Sequence, residues 1–433
     1  MSNVVASATR RIRIVSASLA LATVLAACAG TPKGVLLPVA AGTAGTTSVD
    51  MLVATTRHKA PAGEMFSGER GEAKPSFANI TVSIPPAGAR QVGEVQWPRA
   101  VPGNPETDFV TLKADPLDQA GALKWFNRAV KTKPGRRVLV FIHGFNNRFE
   151  DAVFRFAQIV HDSGTPIVPI LFTWPSRGSL FAYGYDREST NYSRDSLESL
   201  LAYLAKDPAV GEISILAHSM GNWVTIEALR QMAIRNGTIA PKIRNVMLAA
   251  PDVDVDVFRS QFSQFGKNRP NFTLFVSQDD RALAVSRRVW GSTARLGAID
   301  PEQEPYRTQL AQEKITVLDL TKLSTGDSLN HAKFAESPQV VQLIGQRLAS
   351  QDTITDSRVG LGERIVQATT GAAATVGNAA GLIITAPVAV VDPRTRNNFG
   401  SQIEDFGGQI GESATATGNL VTRAPAEAAR SGP

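Results

Sequence analysis

Ile213-Ser214-Ile215-Leu216-Ala217-His218-Ser219-Met220-Gly221-Asn222 is the stretch whose reading decides the fold. The apolar run stops at Ala217 and a helical pattern starts near Asn222, which puts a serine at the junction of a buried strand and a helix. A backbone bent that sharply packs close to its neighbours, so positions two before and two after the serine tolerate almost no side chain. Here they are Ala217 and Gly221, and alanine is the mildest departure from glycine. Taken alone, Ser219 could equally cap the helix that follows it, so the flanking sequence has to supply the specificity.

Upstream, residues 138–142 form a continuous apolar run of the sort buried on both faces in a parallel sheet, and they deliver His143-Gly144-Phe145-Asn146-Asn147. Residues 167–174 read as another strand, with Pro169 against its first half. Downstream, residues 246–250 end in Pro251-Asp252, residues 272–276 end in Ser277-Gln278-Asp279-Asp280, and residues 315–320 precede a loop bearing His331. Helical spacing appears over 116–129, 152–160, 196–205 and 222–234. Strands alternating with helices predict an α/β fold, a mostly parallel sheet with helices on both faces. Residues 51–56 and 80–84 read as antiparallel strands that open the domain, with His58 in an exposed loop between them. Between Trp174 and Ser196, Phe181, Tyr183, Tyr185 and Tyr192 crowd an expected loop. They read either as a wall over an acyl pocket or as packing of a long connection onto the core.

With 433 residues and 43% hydrophobic content, the chain is longer than one such domain needs, so further segments flank it. Arg10, Arg11 and Arg13 followed by an apolar stretch over 14–27 form an export signal, too short to span a bilayer comfortably. Leu25-Ala26-Ala27-Cys28 resembles the lipobox of bacterial lipoproteins, which implies lipid attachment at Cys28, the other reading being a small residue near an ordinary cleavage site. Arg10-Arg11 also mimics a twin-arginine signal, although Arg13 stands where that signal prefers an apolar residue. The expected organisation is a signal peptide over 1–27, a flexible tether over 28–48, the α/β domain over 49–350 and an Ala/Gly-rich tail, partly helical or disordered, over 351–433. The tail carries a small-xxx-small pattern at Gly377-Asn378-Ala379-Ala380-Gly381, but polar interruptions favour a surface helix or disorder over a membrane span.

Removing the three leader arginines from a formal net charge of +6 leaves +3, and the other basic residues are scattered among acids, which argues against nucleic acid as a partner. A single cysteine excludes an intramolecular disulfide and any cysteine-cluster metal site, and the five histidines show no close ligand pair. Neither metal nor cofactor is expected.

A serine hydroxyl is a weak nucleophile at neutral pH and needs a base oriented by a carboxylate. Ser219, Asp280 and His331 occur in the order serine, acid, histidine at successive strand ends. Asp279 and Asp252 remain open as the acid, while His331 is the only histidine downstream of Ser219. Two backbone amides suit a tetrahedral oxyanion: Met220, at the start of a helix, and Phe145, in the loop after His143-Gly144.

From Met51 to Gln346 the chain resembles a bacterial α/β-hydrolase family of mostly uncharacterised, esterase/lipase-like proteins. The resemblance rests on Met51-Leu52-Val53-Ala54-Thr55-Thr56-Arg57, Phe141-Ile142-His143-Gly144-Phe145-Asn146, Phe172-Thr173-Trp174-Pro175-Ser176 and Ala217-His218-Ser219-Met220-Gly221-Asn222. Ala250-Pro251-Asp252 and Ser277-Gln278-Asp279-Asp280-Arg281-Ala282-Leu283 extend it. It implies the α/β-hydrolase fold, with Ser219 as nucleophile, Asp280 as acid, His331 as base and hydrolysis of a small-molecule or lipid ester. With the leader, it implies an exported enzyme held by lipid at the periplasmic face of the outer membrane. An acyltransferase on the same residues and a non-catalytic binding lipoprotein are the alternatives.

Overall fold

The computed structural model describes residues 32–349 except 41, 62, 73, 267, 290–292 and 324–326, so Cys28, the leader and the 351–433 tail lie outside the described residues. The strands are β1 (Thr47–Thr55), β2 (Arg57–Lys59), β3 (Phe66–Arg70), β4 (Ser76–Ile84), β5 (Val110–Leu117), β6 (Arg137–Ile142), β7 (Val168–Thr173), β8 (Glu212–His218), β9 (Ile243–Ala249), β10 (Asn271–Val276) and β11 (Thr316–Asp319). The main helices are α1 (Gln119–Thr132), α2 (Phe149–Ser163), α3 (Tyr183–Lys206), α4 (Gly221–Asn236), α5 (Val255–Phe262), α6 (Arg281–Val289), α7 (Tyr306–Gln312) and α8 (Pro338–Ala349).

Nine strands form one sheet in the order β11-β10-β9-β8-β6-β7-β1-β4-β5, and β2 and β3 make a separate hairpin. Only β4 runs against its neighbours, β1 and β5; the other paired strands of the large sheet are parallel. The alternation along β6 shows why its sequence is apolar throughout. Val138, Val140 and Ile142 join the core under α1, α3 and α4, whereas Leu139 and Phe141 join the core under α2 and α8. Pro169 sits in β7 one residue before the ladder to β1 begins at Ile170, where a missing N–H disturbs that pairing least.

Three expectations need correcting, the first being His58, which is exposed as expected but lies on β2 and not in a loop. Residues 116–129 are not one helix: Pro116 and Leu117 finish the edge strand β5, and α1 begins only after Asp118, whose side chain caps it by accepting from the Gly121 amide at 2.7 Å. The connection after Trp174 is not a loop as far as Ser196, because α3 starts at Tyr183. Its first turns bury polar side chains, Asp186, Ser189, Thr190 and Ser193, in place of an apolar stripe, which hides the helical period. The segment before β1 is in part packed down, with Val35 and Leu36 buried and the Val39 amide donating to Thr111 O at 2.9 Å.

The order of the strands places the site. From β6 the chain moves to β7 on one side through α2, and from β8 it moves to β9 on the other side through α4. Loops leaving the adjacent β6 and β8 therefore diverge and open a crevice at their carboxyl ends, where open α/β sheets bind ligands. Those two loops begin at His143 and at Ser219.

Candidate active site

Ser219 stands between β8 and α4 with φ at +52°, in the left-handed region that a residue with a Cβ avoids. The surrounding bonds hold it there. Its amide donates to Ala249 O at 2.9 Å, and its carbonyl accepts from Asn222 Nδ2 at 2.7 Å and from the Asp252 amide at 3.3 Å. A Cβ on Gly221 would lie 2.3 Å from His143 O, which explains the glycine two residues after the serine. Asn146, Ala250 and Asn330, in the neighbouring loops, also have positive φ. Such backbone states cost on the order of 1–3 kcal/mol each and persist only where the surroundings over-determine them.

The loop after β6 crosses directly over the elbow. A Cβ on Gly144 would meet Ser219 Cβ at 2.8 Å and His218 Nδ1 at 2.9 Å, so only glycine lets this loop pass so close to the serine. Arg57, on β2, is buried and pins the far side of this loop: Nη2 donates to Asn147 O at 2.9 Å and Nη1 to Ser176 O at 2.8 Å. Burial pulls its guanidinium down to about 10, against the raising influence of Asp186 and Glu150. Asp186, fully buried on α3, accepts from Ser176 Oγ at 2.6 Å and from the Arg177 amide at 3.0 Å. Ser176 Oγ in turn accepts from the Asn147 amide at 3.1 Å. His143 is part of this scaffold and not of the chemistry. Its Nδ1–H donates to Gly144 O at 2.9 Å, its Nε2 accepts from the Trp174 amide at 3.2 Å, and its ring stacks on Trp174. Burial, with Arg57 beside it, lowers its pKa to about 3, so the ring stays neutral.

On the other side of the crevice the three carboxylates left open by the sequence have different partners. Asp280 Oδ2 lies 2.6 Å from His331 Nδ1, and Asp280 Oδ1 accepts from the Leu283 amide at 2.9 Å in the first turn of α6. Asp279, its neighbour, accepts from Lys333 Nζ at 2.9 Å through each oxygen and from Asn330 Nδ2 at 2.9 Å. Asp252 is buried and accepts from Tyr183 Oη at 2.8 Å and from Ser286 Oγ at 2.7 Å, with Arg295 Nε 3.4 Å away. The geometry thus joins Asp280, and neither of the other two, to His331.

Since Nδ1 donates to Asp280, His331 keeps Nε2 for a second partner. Its ring lies 4.8 Å from that of His218, the residue before the serine, and His218 Nε2 donates to His331 O at 3.2 Å. Burial works against the charged imidazolium of His331, but the Asp280 charge and hydrogen bond, then Asp252 and Asp327, outweigh it and raise its pKa. His218 has no such carboxylate, and burial and the adjacent His331 hold its pKa well below the ordinary value.

Met220 is buried at the N-terminus of α4, and Phe145 packs edge-on against Tyr183 with centroids 5.2 Å apart. The aromatics after Trp174 divide by task. Tyr183 faces the site, Tyr185 and Tyr192 hold the β2–β3 hairpin through the Arg70 amide and Gly71 O, and Phe181 is fully exposed. Of the supporting residues, Asp186 and Ser286 are not singled out by the sequence, Arg57 enters only as the end of a motif, and Asp252 and Tyr183 are read there in other roles, a possible triad acid and a pocket wall or packing residue. A buried arginine after a strand and an aspartate in an amphipathic helix carry no local signature. Among the described residues no group of three His, Cys, Asp or Glu side chains is arranged to hold a metal ion, and no helix is long and apolar enough to cross a membrane.

A family described as "Alpha/beta hydrolase of unknown function (DUF900)" matches residues 118–347, a span that includes Phe145, Ser219, Asp280 and His331. The chain is also similar to "Uncharacterized protein alr1448" of Nostoc sp. (strain PCC 7120 / SAG 25.82 / UTEX 2576), with 24% identity over 133 residues, covering 25% of this chain and 34% of that protein. The match therefore spans about a third of the curated relative's length.

Proposed function

The chain belongs to this family of α/β hydrolases of unknown function, and from that premise we propose that it is a serine hydrolase that cleaves carboxylic esters through Ser219, Asp280 and His331. The observation that carries the reading is the 2.6 Å pair between Asp280 and His331, at the same sheet end as a serine held at φ +52°. His331 Nε2 takes the Ser219 hydroxyl proton as Oγ attacks the ester carbonyl; Asp280 fixes the tautomer and supports the imidazolium that forms. The amides of Met220 and Phe145 receive the charge that develops on the carbonyl oxygen, each donor lowering the barrier by on the order of 3 kcal/mol. Collapse of the tetrahedral adduct expels the alcohol, which takes the proton from His331 and leaves an acyl-Ser219. Water, deprotonated by His331, attacks this acyl group, releasing the acid and restoring the serine.

The export signal, the lipid on Cys28 and an anchor at the periplasmic face of the outer membrane belong to the same proposal, as does the boundary before the 351–433 tail, whereas the tether expected over 28–48 is shortened by the packing of Val35, Leu36 and Val39 and by the start of β1 at Thr47. A Cys28→Ser chain is expected to lose incorporation of labelled palmitate; unchanged incorporation would remove the lipoprotein reading. For the enzyme, a fluorophosphonate probe should label the full chain and fail on Ser219→Ala, with weak labelling of His331→Ala. Labelling that persists in the serine variant would sink the assignment at this site.

A further inference from the structure

Ten large hydrophobic residues are exposed among the described residues, and five of them stand on the three segments that frame the site. Leu180 (70% exposed) and Phe181 (fully exposed) lie three and two residues before Tyr183; Val285 and Val289 lie on α6; Leu329 lies two residues before His331. These segments touch one another. Ser286, on the inner side of α6, accepts or donates to Tyr183 Oη at 3.1 Å, and the Arg281 amide at the start of α6 donates to Leu329 O at 2.9 Å. The inner side of α6 is therefore a wall of the site, and its outer side carries Val285 and Val289 one helical turn apart.

The charge on that outer side has one sign. Between Arg281 and Val289 there is no acidic residue, and Arg281, Arg287 and Arg288 are exposed. Among the described residues, none of these three has an acid within ion-pair distance. The nearby acids are already engaged: Asp279 with Lys333, Asp280 with His331, Asp252 with Tyr183 and Ser286, and Asp327 with the His331 and Ala332 amides. Single apolar side chains projecting from a cationic rim match an anionic lipid surface, where apolar tips enter the acyl boundary and arginines meet phosphates. A protein lid over the same rim would cover the crevice mouth, whereas a bilayer would present esters to it.

We propose that the rim formed by Leu180, Phe181, Val285, Val289, Arg287 and Arg288 docks the site onto an anionic phospholipid surface, so that the substrates are esters embedded in lipid. This rests on the serine-hydrolase reading for the substrate, but docking itself needs no turnover. The test uses the full chain with Cys28→Ser, so that no lipid on that residue contributes, and vesicles of phosphatidylglycerol beside vesicles of phosphatidylcholine alone. Phe181→Ser/Val285→Ser and Arg287→Glu/Arg288→Glu are both surface changes. Each is expected to weaken the excess binding to phosphatidylglycerol at least about tenfold, and the salt dependence shown by the parent should persist in the Phe181→Ser/Val285→Ser variant but be lost with Arg287→Glu/Arg288→Glu. Hydrolysis of a short water-soluble ester should stay within about twofold of the parent in both variants. Equal vesicle binding by parent and variants overturns the proposal. So does a parent that self-associates while Phe181→Ser/Val285→Ser stays monomeric in sedimentation, which would make the rim an interface between copies. Ser219→Ala separates the two readings: it should bind vesicles like the parent while losing ester hydrolysis, and vesicle binding with no hydrolysis by the parent would reject the enzyme reading and leave docking standing.

Discussion

The two walls of the crevice are built in different ways. On the elbow side, the loops after β6, β7 and β8 are locked by buried groups that reach across long stretches of chain: Arg57 to Asn147 and Ser176, Asp186 to Ser176, and Trp174 to His143. On the base side, the segments after β10 and β11 sort neighbouring charges into pairs, Asp279 with Lys333 and Asp280 with His331. The first wall holds amides in place by steric and hydrogen-bond constraint. The second sets the basicity of one imidazole. Pre-placed donors and a tuned base are separate requirements of acyl transfer, and under the proposed function separate parts of the sheet end would supply them.

The largest effect expected spans both walls. Ser219→Ala should lower kcat for ester hydrolysis about 10⁶-fold, since the nucleophile acts as a unit with its base. Next comes the base side, where adjacent aspartates should behave unlike each other. Asp280→Asn puts an amide against His331 Nδ1 and favours the wrong tautomer, with a loss of about 10⁴-fold in kcat. Asp279→Asn should keep kcat within about tenfold and instead cost roughly 1–3 kcal/mol of stability, because Lys333, 2% exposed in its side chain, loses its counter-ion. Equal losses of kcat in these two variants would erase the distinction between the pairs. On the elbow side, Gly144→Ala should cost about 10²-fold in kcat/KM, because its Cβ must displace Ser219 or His218 by a sizeable fraction of an ångström.

The smallest effects are those of pH, and they carry opposite signs on the two walls. The base must be neutral to act, so kcat/KM should fall as pH drops through the raised pKa of His331. Asp252→Asn removes one of the charges that raise it, so the acid limb should move to lower pH with less than about tenfold change on the plateau. In stability, His331 is raised above its unfolded value of 6.5, and its contribution is fully present below that value and lost as pH rises through the folded pKa. His143 is lowered to about 3, and its contribution is present above 6.5 and lost as pH falls toward 3. Urea unfolding of His143→Gln beside the parent should therefore converge at acid pH; parallel curves would show that the elbow wall does not depend on a neutral imidazole.

Much of this architecture was legible without coordinates, for local reasons. The apolar runs 138–142 and 213–217 required strands covered on both faces, and Gly144 and Gly221 marked the close approaches around the serine. The helix α3 was read short because its first turns are turned to Tyr183, Asp186 and Ser189 contacts instead of an apolar stripe. Strand β5 was missed because Val110–Leu117, with its charges and Pro116, looks like the edge it is rather than like a core strand.

The sequence by itself determined the junction at Ser219, the alternation of strands and helices, and the chain order of Ser219, Asp280 and His331, because these depend on sterics and periodicity within a few residues. Only the tertiary structure decided which of two adjacent aspartates faces the histidine. Asp279 and Asp280 have the same chemistry and differ by one step of backbone at the start of α6, and the partners that separate them lie more than fifty residues away in the chain. Interactions closed over that distance depend on where the sheet brings the loops, and no local pattern encodes it.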